Sequence, residues 1–408
     1  MDSAGTTISE EMAERAGSHD LLTLGVEEEY LLVDAVEPRA VEAVEDVFGE
    51  VPEDLRDVVQ HELQRTQIEV ASPPQLELPE MAAALRRLRR ELSDAAGRVG
   101  ARLVAAGVSP AAGPNARIVD DPRYHRMRER FGDLSPGQGM CGTHVHVSIP
   151  DNETGVQILN HLRPWLPIFQ AATTNSPLHN GHDTGYASWR SVMWERWPTV
   201  GPAPYLESFE QYETLISDLQ ASGAMLDEGM LYWYARLSAR YPTIEIRMGD
   251  VTPTVDDVLL LAALARALVS TLLGEVRDGV PAPNVPHPLL MAAHWRAAHD
   301  GLEGDNIDMA TREPRPAWRL LRQLFDYVRP ELHRHGDLDR ATVLMDRLRT
   351  RGTGAARQRA ILAQRGSVAD VVDWLARATR GDEDGEAERE AGRDRRGRGR
   401  DVGRLAGP

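Results

Sequence analysis

Four short apolar segments each carry two polar side chains spaced two residues apart, and this repeated spacing constrains the chain more than any other feature. The first is Leu24-Gly-Val-Glu-Glu-Glu-Tyr-Leu-Leu-Val-Asp34. Its apolar, β-branched ends read as a strand. Alternate side chains of a strand share a face, so Glu27 and Glu29 lie on one side, with Val26, Glu28 and Tyr30 on the other. The pattern returns as Gln67/Glu69 in Thr66-Gln-Ile-Glu-Val70, His144/His146 in Thr143-His-Val-His-Val147, and Glu245/Arg247 in Thr243-Ile-Glu-Ile-Arg-Met248. Two carboxylates in one column repel, and burying them without a partner is costly. The four segments together therefore predict a sheet with one polar face that holds cations and phosphate.

Taken singly, each pair has an ordinary explanation: a solvated strand face, two structural histidines, a surface ion pair. Together they resist it. The residues between them are Ile, Val and Met, so the opposite face is already core. Solvated faces mix Thr, Ser, Lys and Gln rather than repeating Glu and His. Several carboxylates with few imidazoles suit a hard divalent ion such as Mg²⁺ or Mn²⁺ better than zinc. An arginine among them makes sense where a phosphoryl group is bound beside the metals. A metal-dependent hydrolase of a small amide, working without ATP, is the competing reading. A non-catalytic nucleotide-binding relative is the third.

Composition narrows the partners. The 408 residues carry a net charge of −17 with a pI near 5.3, which argues against nucleic acid. Every fixed cation is arginine, because the chain has no lysine. A Walker A lysine and a Schiff-base lysine are thereby excluded. Cys141 is the sole cysteine, so no intrachain disulfide forms and a reducing cytoplasm is expected. No uncharged apolar run approaches the ~20 residues of a membrane span. Residues 1–20 are polar and acidic and read as a flexible lead-in. Residues 21–379 read as one catalytic domain. Residues 380–408 read as a disordered tail, acidic over Asp382–Glu390 and basic over Arg393–Arg404.

Between the strands, helices are expected at Ala40–Phe48, Pro79–Val99, Arg123–Phe131, Gln157–Thr174 and Leu206–Gln220, with a further strand at Arg102–Val108. Gly137–Gly142 reads as a flexible approach to the histidine strand. From Val255 the chain is mostly helical: Val255–Arg277, Leu289–His299, Ala317–Arg334, Asp339–Arg349, Ala355–Arg365 and Val368–Ala378. The aperiodic stretch Asn175–Tyr205, rich in Gly, Pro and Trp, has the length of a lid or binding loop.

The motifs Gly25-Val-Glu-Glu-Glu-Tyr, His61-Glu-Leu with Ile68-Glu69, Cys141-Gly-Thr-His-Val-His146, Asp183-Thr-Gly-Tyr-Ala-Ser-Trp-Arg190 with Trp197-Pro, and Ile244-Glu-Ile-Arg-Met-Gly-Asp250 occur in that order between about Leu22 and Ala378. In this they resemble the carboxylate–amine ligases called glutamate–cysteine ligase type 2. The resemblance implies an α+β fold of glutamine synthetase catalytic-domain type, a curved antiparallel sheet forming a partial barrel with helices outside. It implies ATP-dependent joining of the γ-carboxylate of L-glutamate to the amine of L-cysteine or another amine, often weakly. ATP and Mg²⁺ (or Mn²⁺) are the implied cofactors. Small molecules are the implied partners, with no nucleic acid and no membrane; a homodimer is compatible with it. By position, Glu27, Glu29, Glu69 and Glu245 match metal ligands, as does Glu62. His144 and His146 match the nucleotide–metal histidines, and Arg247 matches a phosphate-binding arginine acting in catalysis with Glu245. Arg190 and Arg236 match contacts to nucleotide phosphate or substrate carboxylate. Glu28 stands where a methionine is common and is expected to face away from the metals.

Overall fold

A computed structural model describes residues 21–134 and 139–382. The expected lead-in, almost all of the expected tail, and part of the Gly137–Gly142 approach lie outside the described residues. In chain order the first nine strands are β1 (Leu24–Asp34), β2 (Val59–His61), β3 (Gln67–Ala71), β4 (Ala101–Val104), β5 (Gly142–Ser148), β6 (Leu178–His179), β7 (His182–Asp183), β8 (Ala235–Leu237) and β9 (Thr243–Asp250). All except β6 and β7, which pair as a small hairpin, form one antiparallel sheet in the order β2-β3-β1-β5-β9-β8, with β4 pairing with β1 off this path. The four polar segments of the sequence are thus β1, β3, β5 and β9, and they are neighbours. β2 and β8 are three residues each, too short for alternation to reveal them.

Register does the rest. Glu29 lies opposite Glu69, Glu27 opposite His144, His146 opposite Glu245, and Glu245 opposite Arg236. Directly paired residues on one face have Cβ atoms about 4.5–5.5 Å apart, so the register itself makes a continuous polar patch. β9 fits one extra residue against His144, between the pairs Thr143–Gly249 and Val145–Ile246. A bulge of this kind re-aims side chains locally. Glu245 and Arg247 both face the polar side here.

The other face is core. Val26, Val145, Val147, Ile244, Ile246 and Met248 are buried with the helix Val255–Arg277. That helix begins with a reciprocal cap between Thr254 and Asp257. By length and composition it could cross a membrane, but 83% of its apolar window is buried inside the fold, as in a central core helix. Glu28 points into this face, as expected. Its carboxylate accepts from Arg89 Nη2 (2.5 Å), Arg89 Nε (3.1 Å) and the Tyr30 hydroxyl (2.6 Å). Arg89, on the helix Leu78–Arg98, also donates to the carbonyls of Thr252 and Pro253.

Two expected helices are each divided in two. Gln157–Thr174 is Asn152–Leu162 and Leu166–Ala172, and Ala317–Arg334 is Ala317–Tyr327 and Arg329–Arg334. Pro164 lacks the N–H that would continue the first, and Pro167 and Pro330 instead begin new helices. The remaining helical expectations hold to within a few residues at their ends.

Candidate active site

The polar face forms one wall of a cavity of about 1150 Å³. Glu27, Glu29, Glu62, Glu69, His144, His146, Arg236, Glu245 and Arg247 all line it, so every expected site residue but Arg190 converges there. His144 is at the centre. Its Nδ1 lies 3.1 Å from Glu27 and 3.6 Å from Glu245, and its Nε2 3.7 Å from Glu29. His146 Nδ1 meets the Thr243 hydroxyl at 2.9 Å, which turns Nε2 toward Glu27 at 3.3 Å. Glu29 is anchored through the Gly142 backbone N–H, which donates to it at 2.6 Å.

Two arginines define one side of the patch. Arg236 grips both oxygens of Glu245, at 2.7 and 3.3 Å, and donates to the carbonyls of Glu228, Gly229 and Leu231. Arg247 lies 3.2 Å from Glu245, donates to the Leu231 carbonyl, and is held between the rings of Trp194 and Tyr232. Packing between rings orients a guanidinium without consuming all of its donors.

The electrostatics divide the carboxylates. Burial opposes ionisation of Glu27, but the His146 and His144 imidazoles outweigh it and hold Glu27 well below the usual carboxylate range. Burial likewise opposes ionisation of Glu245, and Arg236 and Arg247 bring it down to about 2. Glu69 moves the opposite way: burial, then Glu27, Glu62, Glu29 and Glu245, push it well above the ordinary value. Burial also raises Glu62 and Glu29. His146 is raised, because Glu27 outweighs the effect of burial.

This donor set fits a hard divalent ion. Glu27, His144 and Glu245 offer ligand atoms within 4.8 Å of one another. The Nε2 atoms of His144 and His146 are buried and make no well-aligned hydrogen bond, with carboxylate oxygens at 3.7 and 3.3 Å. Carboxylates that repel one another and buried imidazole nitrogens left unpaired are what a cation would satisfy.

Arg190 is placed differently from the expectation. It is buried behind Glu29, donates to the Met248 carbonyl, stacks on Trp194, and does not line the cavity. A Cβ at Gly142 would run into its guanidinium, which accounts for a glycine at that position. The stretch Asn175–Tyr205 is not a lid over this cavity either. Among the described residues, none of it lines the cavity; Asn175, Ser176 and Ser188 instead surround the buried Asp250 carboxylate. The apolar interior claimed these polar groups because each found a partner. Sequence reasoning missed other residues that line the cavity: Arg123, paired in two places with Asp227, together with Tyr124, Tyr232 and Tyr241. Arg123 and Tyr124 open the helix Pro122–Phe131, and Tyr232 and Tyr241 lie outside helices and strands, where no side-chain period marks them.

The family model described as glutamate–cysteine ligase family 2 matches residues 23–374. A relative from Salinispora tropica, named "Putative glutamate--cysteine ligase 2", is 50% identical over 368 residues, covering 88% of this chain and 96% of its own. The chain belongs to this family. It is a ligase of glutamate–cysteine ligase type, a class that forms a C–N bond with ATP. A second relative, "Putative glutamate--cysteine ligase 2-1" from Saccharopolyspora erythraea, is 46% identical over 366 residues, covering 89% of this chain and 96% of its own. Among solved structures, the glutamate–cysteine ligase of Francisella tularensis in complex with AMP superposes with a TM-score of 0.64 at 13% identity, covering 88% of this chain and 89% of the other. A bifunctional glutathione synthetase from Pasteurella multocida gives 0.64 at 15% identity, covering 93% of this chain and 54% of the other. At such identities the likeness is one of fold, and it agrees with the α+β, antiparallel architecture.

Proposed function

We propose that this family member phosphorylates the γ-carboxylate of L-glutamate with ATP and couples the resulting acyl phosphate to an amine, the amine being cysteine in the names of its relatives. The reading is carried by one observation: Glu27, Glu29, Glu69, His144, His146 and Glu245 share a single wall with Arg236 and Arg247. Magnesium would be held by carboxylates and imidazoles of this wall, from Glu27, Glu29, Glu62, Glu69, His144, His146 and Glu245. Once bound it would neutralise phosphate oxygens. Arg247, held between two rings beside Glu245, is placed to stabilise charge on the transferred phosphoryl group. Arg236 holds Glu245 ionised and fixed. His146, turned by Thr243, orients toward Glu27.

In the second half-reaction the amine nitrogen forms a bond to the acyl carbon. The bond from that carbon to the phosphate oxygen breaks, inorganic phosphate leaves with the electron pair, and the amine proton passes to a carboxylate of the cavity or to phosphate. The partly enclosed cavity limits competing hydrolysis of the acyl phosphate. The hydrolase alternative finds no support. The relatives are ligases, and a guanidinium clamped among the carboxylates suits phosphate better than an amide.

ADP release with glutamate, cysteine and Mg²⁺ tests the proposal. Release that requires both amino acids and is lost in Arg247→Ala, with the fold intact by circular dichroism, is expected. Wild-type rates from Arg247→Ala would refute the role assigned to it.

A further inference from the structure

The cavity's charges bear on the amine, a question that rests on the ligase reading above. Four guanidiniums line the cavity, and three are committed. Arg236 spends its donors on Glu245 and three carbonyls. Arg123 is bound in two places by Asp227. Arg247 is the group beside the transferred phosphoryl. Arg240, exposed at the rim next to Tyr241, has no carboxylate partner among the described residues. The rim thus offers one free clamp for one substrate carboxylate, and glutamate already brings an α-carboxylate to fill it.

The rest of the rim is acidic. Glu45, Asp120, Asp121 and Glu228 line the cavity beyond the metal-binding wall, exposed or half-exposed. Glu45 pairs with His61, at 3.1 Å, and Asp120 with His125, at 2.8 Å, with Arg65 acting on Asp120 from farther off. Asp121 caps the helix Pro122–Phe131 by accepting from the Arg123 N–H, which leaves its charge in place. A concave rim with an excess of one sign of charge concentrates the opposite sign and raises its capture rate.

We propose that the preferred acceptor is a cationic amine without a carboxylate of its own, drawn in by Glu45, Asp120, Asp121 and Glu228, while Arg240 holds the α-carboxylate of the acid substrate. The same reaction serves, since only the group attached to the amine differs. Substrates pass this rim on the basis of net charge, so cysteamine is favoured over cysteine and ethylamine over alanine. Each pair presents a primary amine with and without the carboxylate.

Two measurements separate this proposal from the ligase reading. The first traps the acyl phosphate with hydroxylamine, uncharged at neutral pH, as glutamyl hydroxamate in the presence of ATP, glutamate and Mg²⁺. Absence of hydroxamate removes the ligase reading and this proposal with it. The second compares kcat/KM for each acceptor pair by ADP release. The carboxylate-free amine is expected to win by about tenfold or more at low salt, in the range that electrostatic capture supplies. The gap should narrow between about 20 and 200 mM salt, as the screening length shrinks. It should narrow again in Glu228→Gln combined with Asp120→Asn. Arg240→Gln should raise KM for glutamate and, by removing a cation from the rim, widen the acceptor gap rather than narrow it. Hydroxamate formation together with equal or greater kcat/KM for cysteine and alanine would overturn the acceptor proposal alone.

Discussion

Glu28 is the residue of β1 that performs no chemistry, yet removing its partner should damage both fold and site. Glu28 and Arg89 are almost wholly buried, their side chains each 1% exposed. Replacing Arg89 with Leu leaves a buried carboxylate with only the Tyr30 hydroxyl to solvate it. Breaking a buried pair from one side costs about 3–5 kcal/mol, because the remaining charge has no compensation. The structure puts Arg89→Leu toward the upper end, since Glu28 loses two charge-assisted bonds and two backbone carbonyls lose their donor. Glu28→Met should cost less, about 2–4 kcal/mol, because Arg89 keeps its bonds to Thr252 and Pro253. The double variant Glu28→Met with Arg89→Leu should recover most of the loss, since an apolar pair of similar volume replaces a buried ion pair at little cost. Urea unfolding followed by circular dichroism gives the three values, and the cycle gives the coupling. Additive effects, with a coupling below about 0.5 kcal/mol, would refute the account of this pair. Arg89→Leu should also lower activity, because Glu27 and Glu29 flank Glu28 and depend on the same backbone.

Three further outcomes follow from the site. Glu69, raised by burial and by its four acidic neighbours, binds a proton in the folded metal-free protein that the unfolded chain has released above about 4.5. The folded state then holds more protons, so stability in EDTA should fall as pH rises from that value through the raised one. Glu69→Gln should be more stable than wild type in EDTA at pH 8, and lower stability there would contradict the argument. Mg²⁺ at 100 times its Kd should add about 2.7 kcal/mol to wild type, and distinctly less at the same concentration to Glu69→Gln, measured by thermal unfolding. Thr243→Val removes the hydroxyl that sets His146, and should weaken Mg²⁺ binding by about 10–100-fold in calorimetry while Thr243→Ser stays near wild type.

How much of this was legible in the sequence depended on periodicity. β1, β3, β5 and β9 were readable because each alternates between core and site, and the same alternation that buries Val26, Val145 and Ile246 exposes Glu27, His144 and Glu245 to the cavity. Arg236 was legible only through the family resemblance, because β8 has too few residues to show a period. Arg123 and Tyr241 had no such signal: one opens a helix, the other lies in a bend, and only the folded chain brings both to the cavity. Arg190 and Asn175–Tyr205 misled for a physical reason. A polar, aperiodic stretch is read as solvent-facing or functional, but Ser176, Ser188 and the Asn175 N–H bury their polarity by donating to Asp250. Sequence shows that a group is polar; it does not show whether another polar group will be waiting for it.

The site and the core cannot be altered independently. A slip of one residue in the pairing of β1 with β5 would turn Glu27 and Glu29 into the apolar layer and bring Glu28 and Tyr30 to the cavity. Two features oppose that slip. One is the apolar contact of the buried face with the helix Val255–Arg277. The other is the Arg89 guanidinium, which ties Glu28 to the carbonyls of Thr252 and Pro253 just beyond β9. The price of a strand with three consecutive acids is met on the side away from the chemistry. Arg89 fixes which two of them are free to hold a cation, and the metal-binding wall inherits its geometry from an ion pair that no substrate touches.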